Sequence, residues 1–156
     1  MKPPIILMIE SNGEAVELAR FALWRNNFHC LLQWYDEADA AIERLLRSRR
    51  QDGDHELPDL IFLDPGMMEN NGLDFIQAMK SGRATRAVSI IVFPDSDYPP
   101  AMPELIEAGA VEYLLKPDSS QQYMEVVVDR ARRWSKRRRR RAATSGNAGQ
   151  DGGTGS

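Results

Sequence analysis

The chain has 156 residues, 42% apolar and 28% charged, the balance of a globular protein with room for one sizeable core rather than two. One cysteine, Cys30, excludes an internal disulfide, and the apolar run Ile5 to Ile9 is too short for a signal or membrane segment. Residues 1–129 carry 11 Lys/Arg against 22 Asp/Glu, and residues 130–156 carry 9 against 1, so the net −3 hides an acidic body and a basic tail. A cytoplasmic, soluble protein is expected.

In chain order, Ile5-Ile6-Leu7-Met8-Ile9 is a continuous apolar run ending in Glu10-Ser11-Asn12-Gly13, the pattern of a buried strand and a polar turn. From Glu14 to Asn27, Val16, Leu18, Ala19, Phe21, Ala22, Leu23 and Trp24 recur at helical spacing, with Ser11 or Asn12 placed to cap the start. Phe28 to Trp34 predicts a second strand, and Asp36 to Arg50 a helix with Ala38, Ala41, Ile42, Leu45 and Leu46 on one face. Gln51 to Pro58 is polar and aperiodic, a loop. Leu60 to Leu63 then runs into Asp64.

After Asp64, Pro65-Gly66 and Asn70-Asn71-Gly72 mark an irregular loop before a short helix over Leu73 to Lys80. Val88 to Phe93 is a fourth strand, stopped by Pro94. Pro99, Pro100 and Pro103 delay the next helix to about two turns before Gly109, with Pro103 tolerated in its first turn. Val111 to Leu115 is a fifth strand, and the last helix runs from Gln121 to about Lys136.

Five apolar strands alternating with five helices predict an α/β fold, a doubly wound parallel sheet with helices on both faces. Ligands in such folds sit at the carboxyl ends of the strands. The residues there are Glu10 and Ser11, Asp64, Pro94 and Asp95, and Lys116.

Two acids and one cation are therefore expected to meet in one crevice. Carboxylate and carbonyl oxygens suit a hard cation such as Mg²⁺, which takes one or two protein carboxylates and keeps several waters. The Gly66 carbonyl is a candidate third oxygen. Such a metal would screen an incoming phosphoryl group, Lys116 would pair with it, and Asp64 would be a carboxylate nucleophile. Plainer roles stay open at this point: Glu10 as a helix cap and Lys116 as a solvated loop lysine.

Residues 3 to about 134 resemble the receiver domain of bacterial response regulators. The resemblance rests on Pro58-Asp59-Leu60-Ile61-Phe62-Leu63-Asp64, on Asn71-Gly72 eight residues after Asp64, and on Glu112-Tyr113-Leu114-Leu115-Lys116-Pro117. It implies a flavodoxin-like, CheY-like fold with strand order 2-1-3-4-5 and a receiver over residues 1–134, a signalling module rather than an enzyme. By the same resemblance Asp64 is the phospho-acceptor, Glu10 an acidic residue of an Mg²⁺ site completed by Asp64 and Gly66, Lys116 the phosphoryl-pairing lysine, and Tyr113 the aromatic switch. A histidine kinase or phosphotransfer protein is the implied phosphodonor. The segment between the second helix and Asp64 resembles that of small stand-alone receivers.

Three positions depart from the family's pattern. Where two acids usually follow the first strand, Glu10 is followed by Ser11, so metal affinity should be weaker. Where the family has a switch Thr or Ser, this chain has Pro94, without hydroxyl or N–H; the lost charge-assisted hydrogen bond is worth roughly 1.5–3 kcal/mol. The next residue is Asp95, whose charge would repel a phosphoryl group if it faced in and would be harmless in a solvated turn. These departures leave a second reading, a phosphorylation-independent pseudo-receiver that works as an interaction module.

Met67-Met68 and Trp24, Trp34 and Trp134 read as packing residues, Cys30 as a buried strand thiol, and His29 and His55 lack metal-ligand spacing. Residues 135–156 form a basic stretch including Arg137–Arg141, then a Gly/Ser-rich end expected to be disordered. The arginines suit nucleic acid or anionic lipid, a solvated helix end, or a tether to the acidic body, and no base-reading motif accompanies them.

Overall fold

Short apolar strands, continuous at the centre, decide the architecture of the computed structural model, which describes residues 2–47, 56–95 and 103–135. Strands β1 (Ile5–Ile9), β2 (Leu31–Tyr35), β3 (Leu60–Leu63), β4 (Ser89–Val92) and β5 (Glu112–Tyr113) form one parallel sheet in the order β2-β1-β3-β4-β5. This is the predicted flavodoxin-like order. The central strands β1, β3 and β4 are buried along their whole length, as expected of strands covered on both faces.

Successive residues point to opposite faces of the sheet. Ile6, Met8, Leu60, Phe62, Ile91 and Phe93 meet helix α1 (Gly13–Arg25) and a last helix α5 over 120–135. Leu7, Ile9, Ile61, Leu63, Ile90 and Val92 meet α2 (Ala38–Ile42), α3 (Leu73–Ser81) and α4 (Pro103–Ala108) on the other face. Asn12 caps α1, its side chain accepting from the Glu14 N–H at 2.9 Å. Pro103 opens α4, where its missing N–H costs no helical bond.

Several boundaries differ from the sequence expectation. Strand β2 begins at Leu31 rather than Phe28, because α1 ends in a turn: Asn27 is left-handed (φ 58) and the Phe28 N–H bonds the Leu23 carbonyl. Cys30 therefore precedes the strand and is half-buried. Regular α2 stops at Ile42 and continues as wider turns over Glu43–Arg47; the rest of the expected helix, to Arg50, lies outside the described residues. Strand β5 is two residues long.

Trp24 corrects the packing assignment: it is 74% exposed on α1. Trp134 is buried, as expected, whereas Trp34 is 40% exposed. His29 is exposed, and His55, the 51–55 part of the loop, Pro99, Pro100, Arg137–Arg141 and the Gly/Ser-rich end lie outside the described residues.

The loop after β3 owes its shape to Asn70-Asn71-Gly72, all at positive φ (53, 57 and 86). Asn tolerates this region and Gly favours it. At Gly72 a Cβ would also stand 3.1 Å from Leu63 Cδ2. Asp59 anchors the opposite end of β3, where its carboxylate accepts from the Ile5 N–H at 2.7 Å.

Candidate functional site: an acid and lysine cluster at the strand ends

Parallel register carries the site residues to one place. Ile9 lies opposite Leu63, and Leu63 opposite Val92, so the residues that follow leave the same edge of the sheet together. The Asp64 N–H still bonds the Ile9 carbonyl (3.0 Å), and the Lys116 N–H bonds the Pro94 carbonyl (2.8 Å). Glu10, Asp64 and Lys116 are all buried here. Burial of three charges is tolerable only if they are paired.

They are paired with one another. The Lys116 ammonium contacts Glu10 Oε1, lies 3.6 Å from Asp64 Oδ2 and 3.1 Å from Asp95 Oδ1. Burial works against the lysine charge, but the Glu10 hydrogen bond and the Glu10, Asp64 and Asp95 carboxylates outweigh it, so its pKa is raised. The remaining carboxylate oxygens are held by main chain: Glu10 Oε2 accepts from the Asn12 N–H (3.1 Å) and Asp64 Oδ1 from the Gly66 N–H (2.9 Å). Asp64 is thus oriented with Oδ2 toward the lysine.

The chain matches the response regulator receiver domain over residues 6–128. It belongs to that family. A curated relative, the probable methanogenesis regulatory protein FilR2 of Methanothrix harundinacea (strain 6Ac), is 24% identical over 132 residues, 85% of this chain and 84% of FilR2. Among solved structures, the phosphorylated cyanobacterial phytochrome response regulator RcpA has a TM-score of 0.72 at 19% identity, covering 85% of this chain and 94% of that one. The Mn²⁺-bound form of response regulator Rcp1 has a TM-score of 0.71 at 19% identity, covering 85% and 95%. Receivers are signalling modules of two-component systems.

In this receiver Glu10, Asp64 and Lys116 come together, and neither the capping role for Glu10 nor the solvated role for Lys116 survives. Asp95 combines both alternatives considered for it: its side chain is 68% exposed, yet its carboxylate turns back onto Lys116. Pro94 is buried. Tyr113 is half-buried and packs against the core on the α3 and α4 face. Ser11 is exposed beside a groove of about 690 Å³ that it lines with Asp36, Asp39, Met67 and Met68.

Two site residues escape sequence reasoning. Trp34 reaches over from β2 and donates its indole N–H to the Glu10 carbonyl at 2.7 Å, walling the loop where a Cβ on Gly13 would sit 3.3 Å from its ring. The only signal was an aromatic at the end of an edge strand. Glu112 accepts both hydrogen bonds of Arg130 Nε (3.0 Å each) and the Trp134 indole N–H (2.7 Å), tying β5 to α5.

Glu10 Oε1 and Asp64 Oδ2 both face one cation, the Lys116 ammonium, which marks where positive charge is favoured. Mg²⁺ uses one or two protein carboxylates with waters, so this donor set fits such an ion. Among the described residues no group of three or more His, Cys, Asp or Glu is placed to hold a metal ion.

Proposed function

We propose that this receiver accepts a phosphoryl group on Asp64 from a histidine kinase or phosphotransfer protein and signals through a protein-protein surface. The observation that carries this reading is a nucleophile held by the Gly66 N–H, with its free oxygen directed at a buried lysine 3.6 Å away. Asp64 Oδ2 attacks phosphorus, and the P–N bond to the donor imidazole breaks. Its electron pair stays on the ring nitrogen, and a mixed anhydride forms on Asp64. Lys116 then pairs with a phosphoryl oxygen, a charge-assisted contact.

Bound Mg²⁺ would supply charge screening for that transfer. Glu10 and Asp64 would hold it, with the Gly66 carbonyl as a further oxygen and Ser11 reaching it through water. With one acid fewer than the family pattern, the expected affinity is low. No helix among the described residues is long and apolar enough to cross a membrane, and a cytoplasmic setting accords with this function.

Pro94 favours a second reading. It is buried where the family has a hydroxyl, and its carbonyl is taken by the Lys116 N–H. The usual hydroxyl link from phosphoryl group to Tyr113 has no counterpart at that position, as in a phosphorylation-independent interaction module. Intact mass after incubation with Mg²⁺ and acetyl phosphate separates the two. A gain of about 80 Da, one phosphoryl unit, that needs Mg²⁺ and disappears in Asp64→Asn supports the acceptor. Its absence leaves the interaction module.

A further inference from the structure

We infer that Asp95 is an internal rival of the phosphoryl group for Lys116, and so governs how readily Asp64 is modified. The inference rests on the acceptor role proposed for Asp64 and adds a residue to which no role is otherwise assigned. Position comes first. The Lys116 N–H bonds the Pro94 carbonyl at 2.8 Å, which fastens the residue before Asp95 to the residue that carries the ammonium. Asp95 Oδ1 then lies 3.1 Å from Lys116 Nζ, within hydrogen-bond distance.

Charge comes next. A phosphoryl group on Asp64 brings about −1.5 to −2 charges and needs the ammonium that Glu10 and Asp95 already hold. Glu10 is buried and fixed by the Asn12 N–H. Asp95 is mostly exposed, so of the two it is the partner that solvent can take over when the lysine turns toward phosphate. Asp95 and Lys116 also line one open cleft of about 440 Å³ with Asn12, Ala15, Asp118 and Tyr123. Of the two, the Asp95 side chain is the more exposed, 68% against 10%.

The test compares the full chain with Asp95→Asn and Asp64→Asn, the first an isosteric change at an exposed side chain. Each is incubated with Mg²⁺ and acetyl phosphate, in which a P–O bond breaks, acetate leaves, and a P–O bond to Asp64 forms. Asp95→Asn should gain the phosphoryl mass roughly tenfold faster than the natural chain, the scale of one charge-assisted hydrogen bond, and Asp64→Asn should gain none. An equal or slower gain in Asp95→Asn, with Asp64 still modified in the natural chain, overturns the rivalry and leaves the acceptor intact.

Should no protein gain phosphate, the acceptor role fails, and the hold on Lys116 is read separately. Acetylation of Lys116 by acetic anhydride, followed by peptide mass, should be several-fold faster in Asp95→Asn, because the carboxylate that holds the amine at 3.1 Å has gone. An unchanged acetylation rate overturns the inference whatever Asp64 does.

Discussion

Replacing Lys116 by Met keeps most of the side-chain volume and removes the one charge that lets Glu10 and Asp64 be buried together. Both carboxylates face the same ammonium and both are nearly inaccessible. Breaking a buried ion pair from one side costs about 3–5 kcal/mol, a large share of the about 5–15 kcal/mol that holds a domain folded. With a urea dependence of about 1–3 kcal/mol per molar, the unfolding midpoint should fall by about 2 M. The sign of the pH dependence gives a second readout. In the natural chain the raised Lys116 value acts at the alkaline end. Its contribution is complete below the ordinary lysine value of 10.5 and is lost as pH climbs through the higher folded value, a limb Lys116→Met should lack. A loss under about 1 kcal/mol, or an alkaline limb that persists in Lys116→Met, would refute the pairing.

Glu112→Ala removes the acceptor that the Arg130 Nε–H and the Trp134 indole N–H share, while Arg130 keeps Asp129, and should cost about 1–3 kcal/mol in urea unfolding; a neutral result would show that α5 does not depend on this tie. Gly72→Ala forces a Cβ into the left-handed region and against Leu63, an expected loss of about 1–2 kcal/mol that Gly72→Asn should partly avoid. Burial, opposed by the nearby Arg20, pushes the Cys30 thiol from 9.0 up to about 11. Iodoacetamide should therefore modify Cys30 about 100-fold more slowly in the folded chain than in urea near pH 8, and equal rates would contradict that environment.

Much of this was readable from residue order, and the reasons divide cleanly. Continuous aliphatic runs such as Leu60 to Leu63 mark strands covered on both faces, and turn residues such as Asn70-Asn71-Gly72 mark a backbone conformation few other residues accept. Both signals are local. Placement of Glu10, Asp64 and Lys116 at strand ends followed from topology, which the alternation of elements already determined. What escaped depended on contacts across the fold. Asp95 looks like part of a polar turn until Pro94 is fastened to Lys116, and Trp34 looks like a core residue until β2 is seen as an edge. Trp24 misled for the same reason: helical spacing places a residue near the apolar stripe without fixing which side of its margin faces water. The start of β2 was missed because a left-handed Asn27 prolongs the turn by three residues that are themselves partly apolar.

The departures at Ser11 and Asp95 belong together when counted as charge rather than as motif failures. The family's second acid after β1 adds negative charge on the metal side of the acceptor, and Ser11 removes it, leaving an exposed hydroxyl beside a groove. Asp95 adds a carboxylate elsewhere in the sequence, one that meets Lys116 at 3.1 Å. Around Asp64 one acid of the family's pattern is absent at Ser11, and a different one, Asp95, is present on Lys116. In this receiver the lysine is satisfied by Glu10, Asp64 and Asp95. Pro94 fits that arrangement: lacking a hydroxyl to move, it contributes a carbonyl that keeps Lys116 in register with Asp95. On the acceptor reading proposed above, the phosphoryl group meets a lysine already held by Glu10 and Asp95.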